Sequence, residues 1–151
     1  MIKLLIENNT TFQFKHKKLC KKIVKATLKE LNIDGTAELS LIILNNKGIK
    51  EVSRQYRDKN EATDILSFPA GYKELKDMLG YNLLGDIFLS FEKVESQAKK
   101  FGHPSKREWA YLFAHGTLHL LGYDHKTKET ETEMNNIAYK IMEAVKVRRD
   151  A

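Results

Sequence analysis

The short apolar run "IKLLIE" (2–7), broken only by Lys3 and ended by Glu7, reads as a first strand closed by the polar turn "NNTT". A helical period follows. "FKHKKLCKKIVKATLKELNI" places Leu19, Ile23, Leu28 and Leu31 at helical intervals, while Lys17, Lys18, Lys21, Lys22, Lys25 and Lys29 supply the other surface of a basic amphipathic helix. After the turn "IDG", the run "TAELSLIILNN" is strand-like. "NKGIKEVSRQYR" spaces Ile49, Val52 and Tyr56 as one face of a second helix, capped by Asn46. "TDILSFP" and "LLGDIFLS" read as further strands. Between them "AGYKELKDMLGYN" mixes glycines and charges without a clear period, which predicts a loop bordering an active site.

Helical signals continue to the end of the chain. "FEKVESQAKKFG" is a helix stopped at Gly102, and "SKRE" (105–108) has the form of a capping box between Ser105 and Glu108 that opens the next helix. Gly122 is placed to terminate that helix, and "KETETEMNNIAYKIMEAVK" spaces Met134, Ile137, Ile141 and Val145 along a last one. The pattern predicts a single α+β domain over residues 1–151. It would hold a mixed sheet of about four strands and about five helices, with no internal repeat.

Composition narrows the class. Hydrophobic residues at 42% and charged residues at 30% fit a globular chain, no apolar run approaches a bilayer span, and the start lacks the marks of a signal peptide. A cytoplasmic protein without a membrane partner is expected. The lone Cys20 has no disulfide partner and falls on the apolar side of its helix, so a buried, inert thiol is expected. A formal charge of +6 favours polyanionic partners such as RNA, although the basic helix could equally be a solvated face.

"AHGTLHLLGYDH" (114–125) carries three of the five histidines. Their spacing is similar to the H-E-x-x-H-x-x-G-x-x-H pattern of zinc peptidases, with Gly116 in place of the glutamate that activates water. His115 and His119, four apart on a helix, project from one side, and a sharp turn at Gly122 can return His125 as a third nitrogen ligand. Structural zinc is normally closed by four protein ligands. Three neutral imidazoles with an open position therefore predict a catalytic Zn2+ site. His16 and His103 fall outside the pattern and are expected on the surface.

At this point the chain resembles the YbeY family of bacterial zinc-dependent endoribonucleases, implicated in ribosomal RNA maturation. The signature H-G-x-L-H-L-x-G-Y-D-H is met by His115, Gly116, Leu118, His119, Leu120, Gly122, Tyr123, Asp124 and His125. Upstream, Tyr56-Arg57 followed by "TDILSFP", and the Leu84–Ile87 segment, resemble the family's other motifs in order and spacing. Departures are Ala62, where many members have proline, and Ile65 in place of valine. The resemblance implies that His115, His119 and His125 bind one zinc ion and that Arg57 is catalytic or binds substrate, a role suited to a guanidinium facing a phosphodiester.

The implied activity is hydrolysis of single-stranded RNA, with ribosomal RNA as partner and ribosomal subunits or ribosome-associated proteins as further partners. Two other readings stay open: a ribosome-assembly factor with weak nuclease activity, and a zinc peptidase, which Gly116 disfavours. Asp124 reads as a turn residue or a carboxylate supporting the metal. Asp86 and Ser67 are candidates to line the cleft or to make structural hydrogen bonds. Gly116 either lets another element pack closely or keeps a carboxylate away from the metal.

Overall fold

The segment "IKLLIE" becomes β1 (Ile2–Asn8), in which Leu4 is buried while Lys3, Leu5 and Glu7 are exposed. The computed structural model describes residues 1–57 and 63–147, and of Arg57 only its place at the end of a helix. The elements follow as α1 (Lys17–Glu30), β2 (Ala37–Leu44), α2 (Asn46–Arg57), β3 (Ile65–Pro69), α3 (Tyr72–Leu79) and β4 (Asn82–Ser90). Three helices complete the chain: α4 (Phe91–Phe101), α5 (Ser105–Leu120) and α6 (Lys128–Ala144).

The strands form one mixed sheet in the order β1-β2-β4-β3. β1 and β4 each pair in parallel with β2, whereas β3 lies antiparallel to β4 at the edge. One sheet face presents Leu39, Leu41, Ile43, Leu84, Ile87 and Leu89, all essentially inaccessible, to α1 and α5. From those helices Ile23, Val24, Trp109, Phe113 and Leu118 answer them. Each such side chain contributes roughly 1.5–3 kcal/mol when fully buried, which makes α5 a central element of the fold.

Several sequence expectations are corrected at the level of local chemistry. Six helices form rather than about five, because residues 70–82 contain α3 instead of a loop. Its eight residues include none that is buried, and a helix that presents no deeply buried face leaves no hydrophobic period to read. Helix α2 is capped by Asn45, whose Oδ1 accepts from the Gly48 N–H at 2.7 Å; Asn46 Oδ1 instead accepts from the Ser90 hydroxyl. Tyr56 is 69% exposed rather than on a buried face, its ring edge-on to Phe68. The proposed Ser105–Glu108 capping box does not form. Pro104 holds the N-cap position, the Ser105 hydroxyl donates to Glu95 Oε2, and Glu108 is buried. A capping box is present elsewhere, between Thr127 and Thr130 of α6. His16 and His103 are half-buried rather than on the surface, while Cys20 is buried and its thiol pKa is pushed up by that burial.

Two glycines allow the close packing of the cleft wall. Gly85 has φ +130°, and a Cβ there would lie 2.2 Å from the Phe68 carbonyl oxygen of the neighbouring strand. Gly116, midway along α5, faces β3 and β4: its Cβ would meet Ile65 Cδ1 at 2.8 Å and Ile87 Cδ1 at 3.2 Å. The packing account of Gly116 is thus a property of the fold. Gly85→Ala should cost about 2–4 kcal/mol, since backbone must move and φ is strained. Gly116→Ala should stay within about 1–2 kcal/mol of wild type, because a gain of about 1 kcal/mol in helix propensity offsets part of the shift imposed on two isoleucine termini. Denaturant unfolding of the two variants checks the order; a larger loss at Gly116 would contradict it.

Candidate metal centre

Helix α5 divides its residues by face. Trp109, Phe113, Ala114, Thr117 and Leu118 point into the core, whereas Tyr111, His115 and His119 are half-buried on the cleft side. His115 and His119 stand one turn apart with ring centroids separated by 4.9 Å.

The helix then ends in a Schellman turn. The Gly122 N–H donates to His119 O at 3.0 Å and the Tyr123 N–H to Leu118 O at 3.0 Å, with Gly122 at φ +102°, a conformation that favours glycine. This reversal brings His125 back, its ring centroid 5.6 Å from that of His115 and 5.1 Å from that of His119. Each histidine offers a ligand nitrogen, and the three lie within 4.8 Å of one another. A metal at ~2.0–2.1 Å from each nitrogen of a tetrahedral set needs separations of about 3.3–3.4 Å, within reach of small side-chain rotations.

The same turn orients His119. His119 Nδ1 lies 2.9 Å from the Tyr123 carbonyl oxygen, which can only accept, so Nδ1 carries the proton and Nε2 keeps its lone pair. Asp124 Oδ1 accepts from the Lys126 N–H at 3.1 Å, the turn bond that was one of its two readings; this bond is the main cause that lowers the Asp124 pKa.

The histidines form one wall of a cleft of about 760 Å³. The opposite wall comes from residues 63–69, through Thr63, Asp64, Ile65, Ser67 and Pro69. Ser67 therefore does line the cleft, one of the two alternatives left open by its sequence context. Asp86 does not. It is exposed and lines a separate groove with Leu5, Ser40, Ile42 and Phe88, because the alternation of β4 sends Asp86 to one face and Ile87 to the other. The side chain of Arg57, expected to be catalytic, lies outside the described residues, as does Ala62.

Electrostatics fit a cation at the histidines. Burial lowers the pKa of His115 to about 4, assisted by the nearby His119 and His125 and opposed by Asp64. A neutral ring is the form that donates to a metal. His115 Nδ1 is moreover buried without a hydrogen-bond partner among the described residues. Asp64 is held by Gln97, whose amide donates to Oδ2 at 3.3 Å, and by its carbonyl oxygen, which accepts from the Ser90 N–H at 3.0 Å. It is the sole carboxylate among the described residues that line the cleft.

Asp64, Tyr111 and Tyr123 were not singled out as site residues from sequence. Tyr111 could have been found, since it precedes His115 by one helical turn. Asp64 had a signal in the "TDILSFP" segment, but its partners Gln97 and Ser90 are remote in the chain and its place in the cleft was not legible locally.

Comparison with known proteins supports the same grouping of motifs. The family model described as Endoribonuclease YbeY matches residues 4–146. Endoribonuclease YbeY of Mycoplasma mobile is 41% identical over 142 residues, covering 94% of this chain and 93% of that protein. The Listeria monocytogenes protein of the same name is 37% identical and covers 96% of each chain. The solution structure of TM1509 from Thermotoga maritima superposes with a TM-score of 0.65 at 27% identity, over 96% of this chain and 89% of that one. A match running from the first strand to the end of the last helix, with the histidine turn inside it, establishes that the chain belongs to the Endoribonuclease YbeY family.

Proposed function

We propose that the protein is a zinc-dependent endoribonuclease that hydrolyses phosphodiester bonds in single-stranded RNA, acting in 16S ribosomal RNA 3′-end maturation and in ribosome quality control. Ribosomal RNA is its partner, together with ribosomal subunits or ribosome-associated proteins. The observation that carries the reading is the convergence of three histidine nitrogens at a cleft in a chain of an endoribonuclease family. Zinc suits a redox-neutral set of three imidazoles with room for a further ligand. No helix among the described residues is long and apolar enough to cross a membrane.

His115, His119 and His125 would hold the zinc, which when bound supplies Lewis-acid stabilisation of charge on a phosphoryl oxygen and activation of water. Around it the chain supplies three further functions. The Tyr123 carbonyl keeps His119 in the ligating tautomer. Arg57 anchors the phosphate through paired guanidinium hydrogen bonds. Asp64, across the cleft and steadied by Gln97, accepts the proton of the attacking hydroxyl, the task for which residue 116 has no side chain. The attacking group is water or the adjacent ribose 2′-hydroxyl, and only the latter leaves a 2′,3′-cyclic phosphate.

Chelation should abolish cleavage of a labelled single-stranded RNA, and added zinc should restore it. His119→Ala should lose both bound zinc, read by elemental analysis, and activity. Arg57→Ala should keep zinc and lose roughly a hundredfold to a thousandfold in rate, as expected for removal of a group stabilising transition-state charge. Equal cleavage by wild type and both variants would leave a binding or assembly factor instead.

Asp64→Asn should also retain zinc while kcat falls by about 10²–10⁴, the range of a positioned general base. An unchanged kcat would remove Asp64 from the chemistry.

A third expectation concerns acid. The folded chain keeps His115 neutral down to about pH 4, whereas the unfolded chain binds that proton near the ordinary value of 6.5. The unfolded state therefore holds more protons between these values, and stability falls as pH drops through the window. Thermal melts of chelated protein should show this fall, and His115→Asn should flatten it. Melts of the two proteins with the same pH slope would contradict the assignment.

A further inference from the structure

The charge of this chain is concentrated rather than spread. Helix α1 carries Lys17, Lys18, Lys21, Lys22, Lys25 and Lys29 against Glu30 alone, so all but one unit of the formal +6 resides on fourteen residues. All these lysines are exposed, and none is in an ion pair among the described residues; Glu30 instead pairs with Lys140 of α6 at 3.7 Å.

The arrangement works against the helix. Lys17–Lys21, Lys18–Lys22, Lys21–Lys25 and Lys25–Lys29 are like-charge pairs four apart, and the first turn holds two lysines and no acid where the helix dipole favours negative charge. Such local disfavour, with no ion pair among the described residues to relieve it, marks a surface whose counter-charge comes from outside.

The shape of the surface narrows what that partner is. Lys22, Lys25 and Lys29 form a ridge between two grooves. One groove, of about 600 Å³, is floored by Met1, Ile2 and Ile33, with Asp34 at its edge; the other, of about 410 Å³, lies against the end of α6 beside Ala144 and Lys146. No aromatic side chain lines either groove among the described residues. Single-strand binders that hold bases do so by stacking them on aromatic rings, whereas a lysine ridge offers point charges to phosphates.

Its location is equally informative. α1 packs against β1, α5 and α6, while the cleft wall continues from β3. These strands are the opposite edges of the sheet, about 14 Å apart at ~4.8 Å per strand spacing.

Resting on the endoribonuclease reading, we propose that the α1 ridge is a second RNA site, which holds the phosphate backbone of the substrate beyond the scissile segment without reading its bases. The substrate class is then an RNA long enough to reach from the histidine cleft to the far edge of the sheet. Short fragments occupy the cleft alone.

The test compares wild type with Lys21→Gln/Lys22→Gln/Lys25→Gln/Lys29→Gln and with the corresponding four-fold Lys→Arg protein, all full-length. Binding of 2′-O-methyl RNAs of about 30 and about 3 nucleotides is followed by fluorescence anisotropy across salt concentrations, where each phosphate contact adds about 0.7 to the log–log slope for a single strand. For the long RNA the Gln protein should lose up to about 3 units of slope and bind at least ~10-fold more weakly at low salt, with the Arg protein close to wild type. Binding of the short RNA, zinc content and melting temperature should not fall. Removing like-charge neighbours should if anything raise the melting temperature.

An unchanged slope for the long RNA would overturn the proposal. So would equal weakening for both lengths, or a loss confined to binding of phosphatidylglycerol-containing vesicles, which would assign the ridge to an anionic membrane. Because the readout is binding, a protein that shows the lysine-dependent slope but no zinc-restorable cleavage would overturn the endoribonuclease reading and leave the ridge standing as an RNA site.

Discussion

The bond from His119 Nδ1–H to the Tyr123 carbonyl oxygen joins the end of α5 to the loop that follows it, and the cleft is organised around that link. It exists because Gly122 adopts a left-handed conformation that lets the chain double back within two residues. The backbone bonds that satisfy the helix terminus thereby also point Tyr123 at an imidazole and deliver His125 to the other two rings. Two imidazoles and one tautomer depend on a single turn. That economy explains how three histidines within eleven residues come together as a group that could hold a metal, with no fourth member from a distant element among the described residues.

The second wall depends on how closely a sheet edge can approach the helix. Gly116 leaves room for Ile65 and Ile87, and Gly85 lets β4 come under the Phe68 carbonyl. Through these contacts β3 is held across from the histidines, and with it Asp64 and Ser67. Gly116 thus links two observations that are separate in sequence: the missing carboxylate on the helix, and the presence of one on the facing segment. A glutamate at position 116 would have to displace the isoleucines that set the cleft's width.

Charge is distributed to match. The cleft contains three imidazoles, one carboxylate among the described residues and room for a cation, while the positive excess of the chain lies on α1 at the other sheet edge. The field of the exposed α1 lysines acts on a long polyanion as a whole.

Much of this was legible in the chain. The strands follow from short apolar runs bounded by turn signals, and α1 and α6 from apolar spacing that meets a continuous core. The three histidines and the turn at Gly122 could be read because ligands and terminator are neighbours in sequence, so local geometry suffices to place them. Local chemistry was misjudged where a remote partner competed: Ser105 bonds Glu95 instead of capping its helix, Asn46 bonds Ser90, and α3 has no buried face to impose a period. The position of Asp64 across from His115 and the placement of β1 and β3 at opposite edges were set by the sheet order β1-β2-β4-β3, and the exposure of Asp86 by the packing of the other face of β4 into the core. The sequence by itself determined which side chains could hold a metal, because four residues of helix and one glycine turn are enough to aim them. Only the tertiary structure decided what faces that metal, because strand pairing and helix packing join residues that share no local constraint along the chain.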